Sequence, residues 1–128
     1  MKTKKEKLTL EFVFNRGSQS VFWKSISTPN GLQEWFADSV TLEGKRWIFR
    51  WNDTIQVAQY LASVQNKYVK YRWEDEDDDT YFEFRINTDP VTATISLVIT
   101  DFAEADEVES VKSLWEKQVD DLLRHIGL

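Results

Sequence analysis

Few residues in this chain combine the type and the spacing that covalent chemistry needs. His125 is the only histidine, and no Ser or Asp pattern surrounds it as a triad requires. Lying close to the apparent helix stop at Gly127, it reads as an exposed residue at a helix C-terminus, where a cation is favourable. The run Glu74-Asp75-Glu76-Asp77-Asp78-Asp79 offers carboxylates to a hard cation such as calcium, but it lacks the glycine and distal Glu of an EF-hand loop. Water relieves repulsion among adjacent carboxylates most simply, so the run reads as a solvated hairpin loop that also discourages edge pairing. Asp38 and Asp53 stand beside Phe36-Ala37 and Trp51-Asn52, where a carboxylate could orient a guest at a cavity mouth or serve a turn. With no cysteine in the chain, a thiolate nucleophile, a disulfide and a Cys-ligated metal are all excluded. The sequence therefore assigns no catalytic residue, no metal ligand and no cofactor.

What the chain does offer is an aromatic surface. Arg46-Trp-Ile-Phe-Arg-Trp51 alternates large rings with charge, and the alternation returns at Val69, Tyr71, Trp73 and at Phe82, Phe84, Ile86. Arg46 and Arg50 then point away from the rings, toward solvent or strand neighbours. Trp47, Phe49, Trp51, Tyr71, Trp73, Phe82 and Phe84, with Tyr60 and with Trp35, Val111 and Trp115 from helical segments, can fill a core or line a pocket. Polar-tipped rings favour the pocket: a dry core must satisfy each indole and phenol hydrogen, whereas a pocket can use water or a guest. Trp35 and Trp115 also suit core positions where helices meet the sheet.

The elements that must hold these rings follow from length and pattern. A chain of 128 residues matches one domain, 1–128, with one real core. Its net charge of -6 argues against nucleic acid and anionic membrane as partners. Lys2, Lys4, Lys5 and Lys7, interrupted by Glu6, read as a solubilising tail that is flexible over 1–6. No apolar signal region and no stretch of about 18 apolar residues is present, so membrane insertion is not expected and a cytoplasmic location is.

Leu8 to Phe14 alternates with period two and reads as a strand. Asn15-Arg16-Gly17-Ser18 supplies a turn, with Ser18 capping a helix that runs to about Ser27 and buries Val21, Phe22 and Ile26, Trp23 lying at the edge. Thr28-Pro29 ends it, and Pro29 opens a second short helix whose apolar face is Leu32, Trp35 and Phe36. Strands follow near Val40 to Leu42, Arg46 to Trp51, Thr54 to Val64, Tyr68 to Trp73, Thr80 to Asn87 and Thr92 to Thr100, at the short spacing of an antiparallel meander. In Thr54 to Val64 the apolar phase shifts from Ile55 and Val57 to Ala58, Tyr60, Ala62 and Val64, which predicts a bulge. Val108, Val111, Leu114, Trp115, Val119, Leu122, Leu123 and Ile126 make one helical stripe from about Asp106, roughly 30 Å long. Acidic residues open that helix and Arg124 and His125 close it, each the favourable sign for its dipole.

A strand, two short helices carrying Phe22, Thr28-Pro29, Leu32 and Trp35, a run of strands including Tyr68-Val-Lys-Tyr-Arg-Trp73, and a last helix with Leu114-Trp115 together resemble the START-like (SRPBCC) superfamily. The similarity spans nearly the whole chain and is greatest to the branch named for homologues of the activator of heat-shock-protein ATPase. It implies an α+β helix-grip fold: a curved antiparallel sheet wrapped around a long C-terminal helix, with two short helices between the first two strands. It also implies an apolar guest in a pocket, since the family holds lipids, sterols and polyketides and includes cyclases and co-chaperones. Fold alone does not choose among these. The expected function is a non-enzymatic binding module for an apolar or aromatic, lipid-like molecule. The alternatives are a polyketide cyclase or hydrolase-like enzyme, and a protein-interaction or co-chaperone-like domain with a filled core, with a protein partner or a homodimer; outward Tyr68 and Tyr81 could serve self-association.

Overall fold

The computed structural model describes residues 5–14, 17–76 and 78–127. Its elements in chain order are β1 (Glu6–Phe14), α1 (Gln19–Ser27), α2 (Pro29–Gln33), β2 (Ser39–Glu43), β3 (Arg46–Trp51), β4 (Thr54–Val64), β5 (Tyr68–Trp73), β6 (Phe82–Thr88), β7 (Ile95–Ala103), a 3-10 turn at Ala105–Glu107 and α3 (Val108–Ile126). The strands form one sheet in the order β1-β7-β6-β5-β4-β3-β2. Every neighbouring pair is antiparallel. The meander β2 to β7 is completed by β1, which pairs with β7 at one edge, while α1 and α2 carry the chain from there to β2 at the other edge. The α+β helix-grip arrangement follows from this order, with α3 laid across the inner face of the curved sheet.

The period of two settles which side chains meet α3. Trp47 and Phe49 of β3, Val69 and Tyr71 of β5, Phe82, Phe84 and Ile86 of β6, and Ile95, Leu97 and Ile99 of β7 are all buried. They share one core with Trp115, Val119 and Leu122 of α3 and with Phe22, Ile26 and Leu32 of the short helices. Gly127, at φ 83° beyond α3, turns its amide back to the carbonyls of Leu123 and Arg124, the left-handed stop that glycine adopts without a Cβ penalty.

Ser18 caps α1 by accepting from the Val21 amide, and Thr28 caps α2 by accepting from Gly31. The two helices cross closely because Gly31 has no side chain: a Cβ there would lie 1.9 Å from the Lys24 carbonyl oxygen. Trp35 fastens the crossing, its Nε1 donating to the Ser25 carbonyl at 2.7 Å. On α1 the buried pair is Phe22 and Ile26, whereas Val21 faces outward at 41% exposure. Trp23 is the half-buried neighbour that packs against the core.

Several boundaries differ from the sequence reading. The second helix ends at Gln33, and Trp35 and Phe36 sit in the turn that follows, held by Phe36 and Ala37 amides donating to the Leu32 carbonyl. β6 starts at Phe82. β7 starts at Ile95 and continues past Thr100 to Ala103, because residues 101–103 still pair with the start of β1. The bulge in β4 lies between Tyr60 and Ala62. Its position leaves Ile55 exposed on the outer face, while Thr54 and Gln56, partners of Trp51 and Phe49, take the inner one. Apolar phase misleads here because this end of the inner face borders a cavity rather than dry core.

At the N-terminus, residues 1–4 of the expected tail lie outside the described residues. Lys5 is ion-paired to Glu76, and Glu6 opens β1. The turn at 15–16 also lies outside the description.

Candidate functional site

A cavity of about 410 Å³ opens between α3 and the end of the sheet where β3 turns into β4. The inner face supplies Trp51 of β3, Thr54 and Gln56 of β4, Trp73 of β5 and Asp101 of β7. From α3 come Val111, Leu114, Trp115 and Gln118, spaced at three and four residues so that they share one helical face. Phe36, in the turn after α2, closes the wall.

Phe36 is the centre of the aromatic framework. Its ring stacks on Trp115 at 5.6 Å between centroids and 8° between planes. It meets Trp51 edge-on at 5.5 Å and lies stacked on Trp73 at 6.4 Å. Its carbonyl accepts two hydrogen bonds, from Trp51 Nε1 at 2.7 Å and from Gln118 Nε2 at 3.2 Å. One residue therefore ties the short-helix segment to β3 and to α3, and fixes the rings that face the cavity.

Asp101 is the acidic group of the wall. Its Oδ2 accepts from Trp115 Nε1 at 2.9 Å, and its Oδ1 accepts from the Phe102 amide at 2.8 Å. Burial raises the carboxyl's pKa above its ordinary value, against the opposing pull of those two hydrogen bonds and of Lys5. A carboxylate has about four acceptor sites, so each oxygen retains capacity for a donor arriving from the cavity.

The expected wall residues divide clearly by position. Trp51, Trp73, Val111 and Trp115 line the cavity. Trp35 lines an adjoining groove of about 470 Å³, which shares Phe36, Trp51, Leu114 and Gln118 with it. Trp47, Phe49, Tyr71, Phe82 and Phe84 are instead buried in the packed core behind that wall. There Phe82 stacks against Trp73 at 4.6 Å, and the Tyr71 hydroxyl donates to the Ile26 carbonyl at 3.3 Å. Tyr60 packs half-buried on the far side of Tyr71, with its hydroxyl on Ser63.

The sequence reading missed Phe36, Thr54, Gln56, Asp101, Leu114 and Gln118 as wall. For Asp101 the signal was available: an acidic residue in phase with Leu97 and Ile99 on an inward-facing strand. It was lost because the strand was ended at Thr100.

Asp38, His125 and Glu74 have structural partners. Asp38 accepts from the Asn52 amide at 2.9 Å, a turn role at the rim of the adjoining groove. His125 Nε2 lies 3.0 Å from Glu34, and Glu74 takes a bidentate contact from Arg46. A wider groove of about 610 Å³ beside α1 and α2 has no Phe, Trp or Tyr on its wall. The aromatic cavity is thus the better small-molecule site, since such sites combine apolar rings with a few converging polar groups.

With this geometry in place, the comparisons with known proteins define the class. A family model described as a START-like superfamily domain matches residues 1–128, and the chain belongs to that family, whose members commonly bind hydrophobic ligands. The chain is similar to the solution structure of BfR322 from Bacteroides fragilis, with 37% identity, 94% of this chain and 90% of that one covered, and a TM-score of 0.68. The Aha1 dimer from Colwellia psychrerythraea shares the fold at 16% identity, covering 95% of this chain and 98% of that one, with a TM-score of 0.76. CalU16 from Micromonospora echinospora does so at 17% identity, covering 95% and 76%, with a TM-score of 0.73. No protein among the curated sequences matches the chain. Among the described residues no helix is long and apolar enough to cross a membrane.

Proposed function

We propose that the protein is a binding module that holds a compact apolar or aromatic small molecule in the cavity between α3 and the β3–β5 end of the sheet. The carrying observation is the wall itself: the rings of Phe36, Trp51, Trp73 and Trp115 converge with Val111 and Leu114 around about 410 Å³. That volume lies toward the small end of ligand sites, which span about 300–1,000 Å³. It suits a ring system better than a long-chain lipid. Phe36 and its two carbonyl hydrogen bonds hold the wall in place before the guest arrives, which lowers the ordering cost of binding.

Native mass spectrometry of the purified protein, followed by denaturing extraction, tests this reading together with a thermal-shift screen of ring compounds. A co-purified apolar molecule or a saturable rise in melting temperature is the expected result. Absence of both across the set would overturn it.

One observation favours a second reading, a cyclase-like enzyme. Asp101 is a titratable group on the cavity wall with its pKa raised by burial, as a general acid or base requires. Turnover of a cyclisable substrate that vanishes in Asp101→Asn would establish it. Self-association is supported by the open sheet, which ends in β1 on one side and β2 on the other, and by the dimer that the Colwellia protein forms; sedimentation equilibrium reads it directly. A cytoplasmic site of action remains part of the proposal and is read by fractionation.

A further inference from the structure

The cavity wall carries a single charged side chain, while the adjoining groove places Lys117, Arg124 and His125 beside Glu34, Asp38 and Asp121. The wall's polar members are Thr54, Gln56, Gln118 and the Asp101 carboxyl, and among the described residues it contains no Lys, Arg or His. Lys5, the cation that acts on Asp101, is paired with Glu76. Lys5, Glu76 and Glu107 stand with Asp101 around a smaller pocket that shares Trp73, Asp101 and Val111 with the cavity. Across those groups the one positive charge is shared among three carboxyls, so Lys5 offsets the Asp101 charge only in part. The chain as a whole carries a net charge of -6. An anionic guest would meet the Asp101 carboxylate on a partly buried wall that itself supplies no cation, a costly arrangement.

Trp and Phe faces attract cations through the ring quadrupole, Trp most strongly. Four such side chains border the same volume as the Asp101 carboxyl, with the half-buried Trp51 and Trp73 offering more ring surface than Phe36 and Trp115, which stack on each other and are each 5% exposed. Resting on the small-molecule reading above, we infer that the guest carries a protonated amine, which donates to the Asp101 carboxylate while its apolar or aromatic body lies among Phe36, Trp51, Trp73 and Trp115. The arrangement also predicts how pH acts on binding. An ammonium guest requires Asp101 ionised, and burial holds that group protonated to higher pH than an exposed Asp. Affinity for the amine therefore rises with pH through the Asp101 titration, while a neutral guest gains nothing from that step. Lys5 eases ionisation of Asp101 and Glu76 opposes it.

The test uses three probes on one ring: naphthylmethylamine, naphthalenemethanol and naphthoate, titrated into the whole protein by calorimetry at neutral pH. The amine binds at least about tenfold more tightly than the alcohol, as expected for a desolvated charge-assisted contact joined to cation–π attraction. Naphthoate binds most weakly. Asp101→Asn removes most of the amine's advantage over the alcohol, leaving what the rings alone supply, whereas Glu109→Gln, which removes an exposed charge from α3, keeps the full preference. Should Asp101→Asn fail to fold, the pH dependence of the amine-to-alcohol ratio in the unaltered protein provides the same reading. Equal affinity for amine and alcohol, or tightest binding of naphthoate, overturns the inference and leaves the small-molecule reading standing. Binding of none of the three overturns both.

Discussion

Asp101 shows how one residue can couple stability to the site. Because burial raises its pKa in the folded protein, the folded state holds its proton to higher pH than the unfolded chain does. Stability contributed through this group is therefore greatest below the unfolded carboxyl value, about 3.9, and is lost as pH rises through the folded value. Thermal melts of Asp101→Asn and the unaltered protein should show the variant gaining relative stability as pH rises above the unfolded carboxyl value of about 3.9; a relative loss on that rise would contradict the assignment. Trp115→Phe keeps the stacked ring but removes the indole hydrogen from Oδ2. Denaturant unfolding should register a loss of about 1–3 kcal/mol, the cost of leaving a buried acceptor short of a donor. At this scale the sequence was informative where side chains were large and in phase, as with Trp51, Trp73 and Trp115. It could not separate cavity wall from core among the rings, because Phe49 and Trp51 occupy the same face of one strand and differ only in distance from its end.

Elements position these residues through two close approaches. The first is α1 against α2, which depends on Gly31; adding a methyl there forces the Cβ into the Lys24 carbonyl. Gly31→Ala should therefore cost about 3 kcal/mol or more in denaturant unfolding, with little loss if the two helices can separate freely. The second is Phe36, whose ring touches Trp35, Phe49, Trp51, Trp73, Phe82, Phe84 and Trp115. Phe36→Ala should cost about 3–5 kcal/mol, and the residual folded protein should bind guests more weakly because the cavity loses its fixed wall. Sequence pattern placed the strands and α3 well, since periods of two and of about 3.6 are imposed by backbone geometry. It placed Phe36 on a helix that stops three residues earlier. It also misjudged the inner face of β4, where Thr54 and Gln56 border solvent-accessible space and the usual apolar preference does not apply.

At the scale of the whole molecule, membership of the START-like superfamily accounts for the order of elements. The helix-grip topology was legible in the sequence because the order of strand, short helices, meander and terminal helix is carried by local signals. The gap between sheet and helix was not, since it depends on how far α3 stands from the sheet at one end, a distance set by the packing of Phe36 and Trp115 rather than by any period. The central claim is that this gap, and not another surface, receives the guest. Indole amide signals in a nitrogen–proton correlation spectrum read that location directly, because Trp51, Trp73 and Trp115 line the cavity while Trp47 packs on Tyr71 within the core. Titration with naphthalenemethanol should shift the Trp51, Trp73 and Trp115 signals saturably and leave that of Trp47 in place. Shifts confined to Trp47 or to Trp23 of α1, or no shift at saturating probe, would contradict the account.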